Sequence, residues 1–249
     1  MILAATVAAA LSAFAPVVIH DSDERFPVSA VDGAPAVYGR AVEARAGGTW
    51  LQYWLYYRYQ DQDRGIVRTG RHEGDWELVQ YRVSGDRLLE AVYAQHSGAE
   101  RCEAGSVSRR GGRPVVFAAH GSHASYLRAG TRDRMWPDPN DEADGRGRAV
   151  ALRLVEISAR SPAWMTDPEP WGGSHARWWV PPEQESPRGP AFQPDRWDPE
   201  AFATGARDCQ AGCDDVGECD APEKALTVLP LVLLLVLAGY RIRTRTRLE

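Results

Sequence analysis

Apolar and polar positions alternate along much of the first two thirds of the chain. Short runs of β-branched and aromatic residues are separated by turn residues: 49-TWLQYWLYYRY-59, 75-DWELVQYRV-83, 88-LLEAVYAQH-96, 113-RPVVFAAH-120 and 148-RAVALRLVEI-157. Runs of this kind predict strands, and Ser84-Gly85-Asp86 predicts a hairpin between the second and third. No long amphipathic helix stands out. The pattern predicts a mostly β protein, an antiparallel β-sandwich with long loops over residues 14–180. Within the second run, alternation sets Asp75, Glu77, Val79, Tyr81 and Val83 on one face and Trp76, Leu78, Gln80 and Arg82 on the other. The aromatic run 50–59 reads as packed core rather than as a sugar-stacking platform.

Both ends depart from this alternation. Residues 1–13 resemble the apolar region of a signal peptide without its positive flank, so that either the true start lies upstream or the segment is a short uncleaved anchor; a small-residue core segment is the bland alternative. The run 225-ALTVLPLVLLLVLAGY-240 carries no charge and precedes 241-RIRTRTRLE-249. Sixteen residues span roughly 24 Å, which Ile242 and a snorkelling Arg241 extend toward the ~30 Å hydrocarbon core. A transmembrane helix is therefore expected over 224–242, followed by a basic cytoplasmic tail, 243–249. The main domain would then be extracytoplasmic, on a single-pass cell-membrane anchor. Between lies 181–223, with seven of the 17 prolines and many acidic residues, expected as an extended stalk.

Composition narrows this picture. The chain has 249 residues and a net charge of −5. Without its last nine residues the balance is 25 basic to 33 acidic, a net of −8. Such a body excludes nucleic acid as the expected partner, because that needs a basic footprint. The four cysteines, Cys102, Cys209, Cys213 and Cys219, read as two disulfides in an exported chain, with three pairings open.

The densest chemistry lies in 72-HEGDWE-77. Asp75 and Glu77 share a face that runs into Val-Tyr-Val, and desolvating two carboxylates there demands a cation or hydrogen bonds. His72 leans over the same spot, and Asp61 ends the preceding aromatic strand. This nitrogen–oxygen set suits Ca²⁺, Mg²⁺ or Mn²⁺, and Zn²⁺ less well. A second group is histidine-rich: His96, His120, His123 and His175 all sit among Gly, Ser and Ala, and GSHA occurs twice, at 121–124 and 173–176. If the strands end at common edges, these residues and Ser122 line one cleft. The Asp/Asn/Gly-rich loop 138–147 reads as solvated, able to lend Asp141 or Asp144 to a site. No GxSxG elbow and no HExxH are present.

The motifs YWLYYRYQD, HEGDWE, YAQHSG and HGSHASY, in that order, resemble the vacuolar-protein-sorting-associated domain family of fungi and plants. A more distant resemblance is to the necrosis- and ethylene-inducing toxins, whose H-x-x-D-W-E core is matched by His72, Asp75 and Glu77 and whose upstream aspartate is matched by Asp61. The toxin core has a second histidine where this chain has Gly74. The resemblance implies a divalent cation held by Asp61, His72, Asp75 and Glu77 in a β-sandwich, engaging a lipid head group at a membrane.

The expected function is therefore a membrane-anchored β-sandwich that binds a divalent cation and a lipid or glycan head group. The alternative is a metal-dependent hydrolase of phosphoesters or cell-envelope polymers, with His120 or His123 as general acid/base.

Overall fold

The computed structural model describes residues 2–62, 70–132, 134, 139–150, 152–172, 186–209, 232, 233 and 235. Helix α1 (Ile2–Phe14) leads into β1 (Val17–His20). The central sheet is built from β2 (Ala36–Glu43), β3 (Thr49–Gln60), β4 (His72–Ser84), β5 (Arg87–Gln95) and β6 (Gly98–Glu103). Short strands follow: β7 (Arg109–Arg110), β8 (Arg113–Ala118), β9 (Ser125–Tyr126), β10 (Gly130–Arg132), β11 (Asp141–Ala143), β12 (Ala149–Val150) and β13 (Arg153–Glu156). The chain returns through α2 (Pro194–Trp197), α3 (Pro199–Gly205) and β14 (Arg207–Asp208).

The central sheet has the order β13-β2-β3-β4-β5-β6-β14, and a second sheet runs β12-β1-β8-β7 with β9 beside β8. The predicted hairpin joins β4 to β5, with Gly85 at φ +62° in its turn. The strands alternate as expected. Leu51, Tyr53, Leu55 and Tyr57 of β3 and Val79, Tyr81 and Val83 of β4 face Val18 of β1 and Val116 of β8 across one core. The opposite residues, among them Trp50, Trp54, Trp76 and Leu78, pack under Met165, Phe202 and Ala203. The aromatic run is thus core on both of its faces.

The fold is mostly β, but its sheets are mixed rather than antiparallel. β1–β8, β2–β13 and β6–β14 pair in parallel, since alternation records which face a residue takes and not the direction of its neighbour. Segment 148–157 serves both sheets, through β12 on β1 and β13 on β2.

The ends differ most from expectation. In α1, Leu11 and Phe14 are buried in the inter-sheet core, and the Tyr53 hydroxyl donates to the Leu11 carbonyl at 3.0 Å. Residues 186–209, which composition assigned to the stalk, pack back onto the body through Phe202, Ala203 and Trp197. The transmembrane helix is corrected. Among the described residues no helix is long and apolar enough to cross a membrane, and within 224–242 only 232, 233 and 235 are described. The single-pass anchor and the extracytoplasmic placement derived from that helix are corrected with it. Cys102 pairs with Cys209; Cys213 and Cys219 lie outside the described residues.

Candidate functional site

β3 and β4 run in register from Thr49↔Val83 to Gln60↔His72, which sets Tyr57 opposite Asp75 and Leu55 opposite Glu77. On the other side, β5 pairs with β4 only as far as Val79↔Tyr93. Beyond that point the chain turns away at His96, a non-glycine residue at φ +54°, and among the described residues no strand pairs with the first half of β4 on that side. Arg196 fills that place. Its guanidinium donates to the carbonyls of Trp76, at 2.9 Å, and of His96, satisfying acceptors that a neighbouring strand would otherwise occupy. The result is a small cleft of 180 Å³ lined by Gln60, His72, Asp75, Glu77, His96 and Arg196.

The start of β4 is roofed by a distant stretch of chain. Gly74 has φ +61°, and a Cβ there would stand 2.6 Å from the Trp171 carbonyl oxygen. A Cβ on Gly172 would stand 2.4 Å from that of Glu73. The backbones meet so closely that no side chain fits at position 74, where the toxin core carries its second histidine. Ser186 Oγ donates to the Glu73 carbonyl at 2.5 Å and closes the roof.

Each buried polar group has a defined state. His72, 2% exposed, directs Nδ1 at the Gly74 carbonyl at 3.1 Å; a carbonyl only accepts, so Nδ1 carries the hydrogen. His123 lies beneath the site, fully buried, stacked on Tyr57 at 3.8 Å and hydrogen-bonded through Nδ1 to Asp75 Oδ2 at 2.9 Å. Its Nε2 lies 3.6 Å from Glu24 Oε1, an ion pair too long for a hydrogen bond. Burial alone would lower the His123 pKa, but the two carboxylates outweigh it and raise it to about 9. Burial likewise raises Asp75, yet its bond to His123 and the nearby positive charges hold it below the ordinary carboxylate range. Glu77 goes the other way. Burial, reinforced by Asp75, outweighs Arg196 and pushes its pKa well above the usual value. The shift favours its protonated form; the side chain is 4% exposed, and its Oε2 has no hydrogen-bond partner.

A second hub adjoins the first. Asp141, expected in a solvated loop, is 1% exposed on β11. Its Oδ1 accepts from Gln62 Nε2 at 2.9 Å and Ser122 Oγ at 2.7 Å. Its Oδ2 accepts from Tyr126 OH at 2.5 Å and bonds His96 Nε2 at 2.7 Å. Burial raises its pKa, but the bonds from His96 and Tyr126 bring it below the ordinary value. Asp144 is half-buried and accepts from the Ser22 amide at 3.0 Å.

The structure thus brings His72, Asp75, Glu77 and His96 to one cleft, with Ser122 and His123 as buried supports. It does not bring Asp61 or His120. Asp61 is paired with Arg71 at 2.9 Å and Arg25 at 3.6 Å. His120 is exposed, held by a backbone bond to Glu142 at 2.7 Å. His175 lies outside the described residues. The divalent-cation centre is corrected as well. Among the described residues no three His, Cys, Asp or Glu side chains are disposed to hold a metal ion. Asp61 is engaged by Arg71 and Arg25, and Asp75 by His123.

Sequence reasoning missed Arg196, Glu24, Gln60 and Tyr126. Arg196 lies in the segment read as stalk, and Glu24 among residues with no strand pattern. The signal for Arg196 was the cluster Phe192, Trp197 and Phe202, too apolar for a stalk.

Residues 58–134 match the family model of vacuolar protein sorting-associated protein 62. The match covers β4, β5 and the loop bearing His120 and His123. Among solved structures, the chain is similar to necrosis and ethylene inducing protein 2 from the causal agent of cocoa's witches' broom disease. That likeness covers 59% of this chain and 72% of the other at 14% identity, with a TM-score of 0.34. Both resemblances drawn from the motifs are thus found. No curated protein matches.

Proposed function

We propose that this chain is a binding protein whose β4 cleft takes one neutral, hydroxyl-rich ring of a glycan or lipid head group, on a sandwich of two β-sheets. One observation carries the reading: Glu77 is a buried carboxyl group that lines the cleft and whose Oε2 lacks a partner; its raised pKa favours the protonated form. An unmatched buried polar atom costs roughly 1–3 kcal/mol, which a ligand hydroxyl would recover. Around it, Asp75 accepts, Arg196 donates and the Gln60 amide does both, the mixed set a polyol needs. At 180 Å³ the cleft is smaller than the roughly 300–1,000 Å³ of drug-sized sites. It suits one ring, not a polymer stretch.

Calorimetric titration of the full chain with myo-inositol, methyl α-mannoside and methyl β-glucoside tests this. At least one should bind saturably. Glu77→Gln, which keeps a neutral hydrogen-bonding group, should retain affinity, and Glu77→Leu should lose about tenfold or more. Equal affinity in the Glu77→Leu variant, or no saturation with any of the three, would refute the reading.

A further inference from the structure

A second cavity, of 370 Å³, opens where the β5–β6 turn, the β10–β11 hairpin and the start of β14 meet. Its lining differs from that of the β4 cleft. Three guanidinium groups, Arg132, Arg134 and Arg207, stand around it with His96 and Tyr126, and Asp141 is the only carboxylate in the described lining.

Asp141 offers a ligand nothing. A carboxylate has about four acceptor positions, and here Gln62, Ser122, His96 and Tyr126 use them. Incoming hydroxyls or ammonium groups meet no spare carboxylate acceptor. Incoming acceptors meet donors that neighbouring groups hold in place. Arg132 lies over the Tyr126 ring at 5.1 Å and donates to the Thr131 and Arg128 carbonyls, each at 3.3 Å. Arg134 donates to Gln62 Oε1 at 3.0 Å, and Gln62 in turn anchors on Asp141. Arg207 donates to Gln95 Oε1 at 3.3 Å and lies 3.8 Å from Glu100. It is fixed to the sheet by β14 and by the disulfide at Cys209.

We propose that this cavity is an oxyanion site that binds a phosphoryl group through Arg132, Arg134 and Arg207. Planar guanidinium forks contributed by the β10–β11 hairpin and by β14 match tetrahedral phosphate oxygens and form charge-assisted hydrogen bonds. The volume exceeds a bare phosphate, so a phosphomonoester on a small organic group fills it better. The site does not depend on the head-group reading, since the two cavities share only His96 as a wall.

The test is calorimetric titration of the full chain with inorganic phosphate and with glycerol 3-phosphate. Saturable binding is expected for both and weakens as NaCl rises, because the contacts are ionic. Tighter binding of the ester identifies a phosphorylated organic ligand as the source, and equal binding identifies free phosphate; either order supports the site. The double variant Arg134→Gln/Arg207→Gln should lose about tenfold or more in affinity, while Arg87→Gln, on the β4–β5 turn, should lose none. The proposal is overturned if neither probe saturates by about 10 mM, if wild-type affinity is insensitive to salt, or if Arg87→Gln weakens binding as much as the double variant.

Discussion

His123 shows how a single residue's environment decides its use. As a histidine between Ser122 and Ala124 it reads as an acid/base group at a cleft. In the fold it is an imidazolium fixed between Asp75 and Glu24 and stacked on Tyr57. Below pH 6.5 the unfolded imidazole is protonated too, so the stabilisation from this raised pKa is present in full. It is lost as pH rises toward about 9, amounting to about 3 kcal/mol. His20 has the opposite sense. Burial, with His123 nearby, lowers its pKa to about 4, and its Nε2 accepts from the Val28 amide at 3.1 Å. The unfolded chain takes up that proton first as pH drops from 6.5 toward 4, so stability falls there. Glu77, whose pKa is raised well above 4.5, has the opposite effect as pH rises past that value and offsets His20, so melting temperature at constant ionic strength should be nearly level between about pH 4.5 and 6.5 and decline above it as His123 loses its proton. Glu24→Gln should shrink the alkaline decline, because one of the two carboxylates holding the proton is gone. Stability still climbing between pH 7 and 9 would contradict this account.

Among the elements, β4 carries most of the site and was the most legible. Its alternation sorted Asp75 and Glu77 from Trp76 and Leu78 correctly, because a strand embedded in a sheet cannot shift register without turning its core face outward. What alternation cannot report is what lies across the strand. Gly74 looked like a missing ligand in HEGDWE. It is a contact point, where positive φ and the Trp171 backbone together exclude a Cβ. Gly74→Ala should cost at least about 2 kcal/mol, read as a shift in denaturant midpoint at constant slope. A cost under about 0.5 kcal/mol would show that the roof yields easily. Asp141 makes the same point from a loop: its composition suggested solvent, yet the β10–β11 hairpin turns it inward onto four partners.

At the scale of the whole molecule, distant stretches of chain complete what the central strands begin. Residues 186–209 supply Arg196 to the cleft, Phe202 and Ala203 to the Trp-rich core and Arg207 to the oxyanion cavity. The Cys102–Cys209 bridge holds this return across a separation of 107 residues. In the chain-entropy view, a loop that long gives a disulfide worth about 4–5 kcal/mol. Replacing both cysteines by Ala should lower unfolding free energy on that scale. A loss below about 1 kcal/mol would mean that packing alone secures β14.

By itself, the sequence determined the β-rich class, the strands β3, β4 and β5 with their hairpin, the buried faces of β3 and β4, and the cluster of His72, Asp75 and Glu77. These follow from local rules, since period-two alternation and turn chemistry act over a few residues. The tertiary structure alone decided the parallel edges, the return of 186–209, the pairing of Asp61 with arginine rather than with the cleft, and the divergent charge states of Asp75 and Glu77. Those depend on which distant groups come within a few ångströms in a medium of low dielectric, where one neighbour determines whether a carboxylate keeps its proton.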